Sequence, residues 1–84
     1  MTLEQGARPL TMNVDALRPL PFRERMLAYE DFDTATRCRN MAHWHYRVGG
    51  PAWLFNFTFE MRDALRAWKR YATAVRAARQ RKAA

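Results

Sequence analysis

Cys38, His43 and His45 carry the most versatile chemistry in this chain, because thiolate and imidazole both bind zinc and both serve nucleophilic catalysis. Their spacing argues against either use. At roughly 100° per helical residue, His43 and His45 point about 200° apart, and Cys38 has no histidine three or four positions away. A closed zinc site takes a full tetrahedral ligand set, yet Cys38 is the single cysteine. A nucleophile also needs a base and an orienting group in a water-poor pocket, and the pair Cys38 and His45 sits in no motif that supplies them. Gly49-Gly50-Pro51 lacks the lysine and the serine or threonine of a phosphate-binding loop. The expectation is a protein that is not an enzyme and uses neither metal nor cofactor.

Binding chemistry is better represented. Trp44, Tyr46, Trp53, Phe55, Phe57 and Phe59 place six of the eleven aromatic residues within positions 44–59. Adjacent Trp53, Leu54 and Phe55 cannot all face one packing partner, so part of this cluster is expected to be exposed in the isolated chain and to anchor another protein or a membrane interface. Charge is as unevenly placed. Residues 1–61 balance seven arginines against seven acids, and the whole excess of +7 lies in residues 62–84, where eight cations face the single acid Asp63. Arg62, Arg66, Lys69, Arg70 and Arg76 form the expected basic face, which suits phosphate, anionic lipid headgroups or an acidic protein surface.

The elements that position these groups can be read from proline, glycine and periodicity. Residues 1–21 hold three of the four prolines, Pro9, Pro19 and Pro21, and read as an extended arm; Arg-Pro-Leu occurs at 8–10 and again at 18–20. With Leu3, Leu10, Met12, Val14, Leu17 and Leu20, the arm is too apolar for a solvated tail and is expected to lie along something. Residues 22–48 contain neither proline nor glycine and predict a helix, either continuous and bent or broken near 31–33, where Asp33 or Thr34 is able to cap a new start. Gly49-Gly50 forms the turn. Pro51 then suits the first turn of a second, basic amphipathic helix over 51–82.

Residues 53–59 admit two readings. Trp53, Phe55, Phe57 and Phe59 alternate as in a strand, but an isolated strand would leave its backbone unpaired, which favours the helix. Beyond them, Met61, Leu65, Trp68, Ala72 and Val75 step by four and three like the seam of a helical pair. Beside that seam runs a strip of small residues, Ala64, Ala67, Ala74 and Ala78 with Tyr71, that would let a neighbouring backbone approach closely. The predicted fold is all-α: an extended arm, then a helical hairpin joined at Gly49-Gly50. A chain of 84 residues without a disulfide buries too little to make an independently stable globule.

Glu4, Gly6, Pro9 and Asp15 interrupt any secretory signal, and the early acids and prolines make a poor cleavable presequence. The longest uncharged stretch, 48–59, is twelve residues, short of the roughly 20 that a membrane-spanning helix requires. The functional expectation is a non-catalytic accessory subunit, with structural or assembly duties, in a large intracellular multiprotein complex. Its partners would be other protein subunits and anionic lipid headgroups. By analogy of character, the parent is expected to be a membrane-bound respiratory complex of the mitochondrial inner membrane, with this chain peripheral and its N-terminus uncleaved. The alternatives are an RNA-binding subunit of a ribosome-like particle, or a virion or phage structural protein.

Overall fold

The computed structural model describes residues 11–83. A short 3-10 helix, Val14–Leu17, leads into helix α1, Phe22–Val48, and after a four-residue connection into helix α2, Trp53–Ala83. The two helices run antiparallel as a hairpin, a rod of 51 × 23 × 16 Å.

Helix α1 begins directly after Pro21, whose extended backbone (φ −56°, ψ 155°) precedes the first helical residue. It does not break at 31–33. The acids there are held by cations instead of capping a new helix: Arg37 bridges Asp33 one turn away at 3.0 Å, and Arg70 donates to Asp31 across the hairpin at 3.0 Å. The helix ends at Gly49, whose φ of 74° an L side chain tolerates poorly, and whose N–H donates to the carbonyl of His45 at 2.9 Å. Gly50 follows with φ 97°. Replacing both glycines by alanine should cost about 1–3 kcal/mol each, from the strained backbone alone, because an added Cβ meets no neighbour at either site. Urea titration of the full chain would show it; an unchanged midpoint would mean that the turn is remodelled without cost.

Residues 53–59 are helical, which resolves the strand alternative. In a helix each backbone N–H finds its own partner; Asn56 N–H, for instance, donates to the carbonyl of Ala52 at 3.0 Å. The alternating aromatics split into two pairs four residues apart on opposite sides, since two residues advance the helix by about 200°. Trp53 and Phe57 turn towards Tyr46, while Phe55 and Phe59 stack on each other facing out.

The hairpin closes on alanine. Ala28, Ala35 and Ala42 recur at every seventh residue of α1 and are buried, opposite Ala64, Ala67, Tyr71 and Ala78 of α2. The small-residue strip is therefore the internal contact, and the seam lies at its edge, with Met61, Ala72 and Val75 half-buried and Leu65 and Trp68 exposed on the flank. Alanine on both helices lets the backbones approach closely, since a methyl group holds two helices apart less than a long side chain does.

The residues preceding α1 fold back onto this hairpin. Leu17 and Leu20 are buried with Ala28, Tyr71 and Ala78, flanked by Met12, Tyr29, Phe32 and Val75. Hydrogen bonds from Ala16 to Asn13 and from Leu20 to Leu17 hold the local turns. Over 11–21 the expected extended arm is thus partly a 3-10 turn that completes the core of its own chain. Leu3, Leu10 and the first Arg-Pro-Leu triplet lie outside the described residues.

Candidate functional site

Three surfaces carry the residues singled out in the sequence. The first is the turn end of the rod. Trp44, Tyr46, Phe55 and Phe59 are exposed there, together with Val48 and Leu54. Phe55 stands out at 73 % exposure, more than any other large apolar residue described. Trp53 and Phe57 differ: both are half-buried, and with Tyr46 they form an aromatic triad with ring centroids 5.8 to 6.3 Å apart. Of the six expected anchors, four therefore face outward and two brace the turn from inside.

The second surface is the basic face. Arg62, Arg66, Lys69 and Arg76, spaced by four, three and seven residues, are exposed along the side of α2 that points away from α1. Arg76 also donates to the hydroxyl of Thr73 at 3.1 Å. Arg70 leaves this stripe, because its guanidinium is drawn to Asp31 on α1. That contact ties the two helices together, but the arginine is largely exposed, so its contribution is on the order of 1 kcal/mol or less.

The third surface consists of the two flanks. One displays Leu65 and Trp68, with Trp68 packed at its edge on Phe32 and Tyr71. The other displays Leu27, Met41 and Val48 on one stripe of α1, beside an open groove of about 590 Å³ lined by Arg37, Asn40, Met41 and Trp44. Sequence reasoning overlooked this α1 stripe. Its signal was the spacing by multiples of seven, Met41 fourteen residues beyond Leu27 and Val48 seven beyond Met41, which the acids and arginines between them obscure.

The candidate chemical residues are dispersed. Cys38 is half-buried on α1 facing α2; burial, and then the nearby carboxylates of Glu60 and Asp63, push its thiol above the ordinary range, the thiol donating to the Glu60 carboxylate. His45 stands two turns along, roughly 10 Å by helical rise, and packs its ring edge-on against Trp44. Among the described residues no three histidine, cysteine, aspartate or glutamate side chains gather where a metal ion could be held. Because the raised pKa lowers the thiolate fraction at mildly alkaline pH, iodoacetamide should alkylate Cys38 more slowly in the folded chain than in urea. Equal rates would show that its carboxylate surroundings do not persist in solution.

No helix among the described residues is long and apolar enough to cross a membrane. Comparison with known proteins finds no counterpart for this arrangement: no family model matches the sequence, no curated protein matches it, and no solved structure matches the fold.

Proposed function

We propose that this chain is a non-catalytic structural subunit that completes its hydrophobic packing against other proteins of a larger assembly. One observation carries the reading: the hairpin packs alanine inside and leaves Leu27, Met41, Leu65 and Trp68 outside. A self-sufficient domain of this size would turn its largest apolar groups inward, since each contributes about 1.5–3 kcal/mol when buried. Here those groups line two flanks, where neighbouring subunits can cover them. The protonated, half-buried Cys38 and the scattered histidines are consistent with a role without bond-making chemistry. The parent we propose is a membrane-bound respiratory complex of the mitochondrial inner membrane, in which a basic helix can rest beside anionic headgroups.

The test follows the full chain, carrying a small tag, in its own cells on native gels. The wild type should migrate with a large particle, and the pair Leu65→Ser and Trp68→Ser should shift most of it to the free pool. A wild-type chain migrating alone would overturn the subunit reading.

The exposed stripe of Arg62, Arg66, Lys69 and Arg76 favours one second reading, an RNA-binding subunit. Four phosphate contacts would make the binding constant fall log-linearly with salt, with a slope of about 0.7 per contact on single-stranded RNA. Replacing the four cations by glutamine should then abolish binding on nitrocellulose filters. Weak wild-type binding with a shallow slope would remove RNA from consideration.

A further inference from the structure

The turn end of the rod poses a packing problem that the flanks do not. Its exposed apolar residues point in every direction around the long axis. Leu54 lies to one side, Trp44 and Val48 to the other, Phe55 and Phe59 on the back of α2, and Tyr46 over the gap between the helices, as about 100° per residue dictates. One partner helix or sheet covers one side of such a tip. A fluid apolar medium entered end-on covers all sides at once.

Charge is distributed along the rod to match. Between Trp44 and Phe59 the single fixed charge is Arg47, a cation whose long stem lets its head reach back towards water. Beyond Phe59 the outward face carries Arg62 and Arg66, whereas the acids at that level, Glu60 and Asp63, are half-buried beside Cys38. From the start of α2 to Phe59 the helix rises about 9 Å, which matches the ~5–10 Å to which interfacial segments enter the headgroup and acyl boundary. Arg62 then stands roughly 5 Å further along, at the level of lipid phosphates. The apolar band is aromatic, and tryptophan and tyrosine are favoured at the membrane–water boundary.

We propose that the aromatic turn of this hairpin inserts end-on into the interface of an anionic phospholipid bilayer, with Arg62 and Arg66 against the headgroups. It shares with the proposed parent complex the placing of the basic helix at anionic headgroups, but the subunit reading rests on the flanks, so flotation and native-gel incorporation fail separately. The experiment adds the full chain to vesicles of phosphatidylcholine alone or mixed with phosphatidylglycerol, and reads flotation and quenching of tryptophan by brominated acyl chains. The wild type should float with the mixed vesicles and be quenched.

Leu54→Ser, Phe55→Ser and Phe59→Ser together should weaken flotation by at least about tenfold, since three exposed apolar side chains lose their burial in lipid. Arg62→Gln with Arg66→Gln should weaken it several-fold on mixed vesicles and leave phosphatidylcholine alone unaffected. Leu65→Ser with Trp68→Ser should float like the wild type, and helical ellipticity in the presence of vesicles checks that each variant folds. A wild type that stays in solution with both vesicle types overturns the proposal, as does a tip variant that floats undiminished. If the wild type does not float but the tip variant falls out of the native-gel particle, the tip is a protein anchor and the lipid proposal is wrong.

Discussion

Ala67→Leu should force the hairpin apart. Ala67 is fully buried where α2 faces α1, the helix across from it presents alanine at 28, 35 and 42, and the space beside it is already filled by the rings of Phe32, Trp68 and Tyr71. The added isobutyl group can be accommodated only by separating the backbones, and overpacking of this kind costs about 1–3 kcal/mol. In a hairpin with so small an interior, that is a large share of what holds the helices together. Ala72→Leu lies on the half-exposed flank and should change stability by no more than about 0.5 kcal/mol. Spin labels at Arg37 and Arg66, in a Cys38→Ser background, would report the helix separation. Ala67→Leu should lengthen and broaden that distance distribution, and Ala72→Leu should leave it narrow. An unchanged distance and urea midpoint in Ala67→Leu would mean that the helices do not meet on their alanine strips.

The isolated chain should show strong helical ellipticity that fades gradually on heating, without a sharp transition. Six of the nine buried residues described are alanine, and the largest side chain fully removed from water is Leu17. A buried methyl contributes about 0.8 kcal/mol, whereas fixing the backbone of each residue costs about 1–2 kcal/mol. Helical hydrogen bonds and the two leucines of the preceding turn offset part of that cost; on the proposed reading, covering the flanks supplies the rest. Binding of a neighbour to the folded form alone stabilises it by mass action, by about 2.7 kcal/mol at a hundredfold excess over Kd. A cooperative transition should therefore appear only in the assembled particle. A sharp, concentration-independent melt of a demonstrated monomer would defeat the obligate-subunit proposal, whatever the tip binds.

The exposed surface governs both the stability and the proposed associations. The alanine interface lets the helices meet closely, but it returns little apolar burial, and the residues that would return more are displayed outward. On the proposed subunit reading, docking would supply stability as well as location. The elongated form also places the apolar tip and the basic rear of α2 at different heights, which allows a bilayer and a protein neighbour to be engaged at once.

Residue types and their order determined the all-α hairpin. The run from Phe22 to Val48 offers no proline or glycine to stop a helix, and Gly49-Gly50 provides backbone at positive φ where one must end. The concentration of cations after Met61 and of aromatics around the turn was legible in the same way, because composition along a chain needs no partner to define it. Tertiary structure alone decided which stripe of α2 would face inward. Leu65 and Trp68 promise more burial in isolation, yet the strip of Ala64, Ala67 and Ala78 wins because α1 presents a matching strip, and complementarity belongs to a pair of surfaces. The same holds for Trp53 and Phe57, which are half-buried because Tyr46 meets them across the turn. It holds too for Leu17 and Leu20, whose apolar character was plain but whose partners, Ala28, Tyr71 and Ala78, only the folded-back chain supplies.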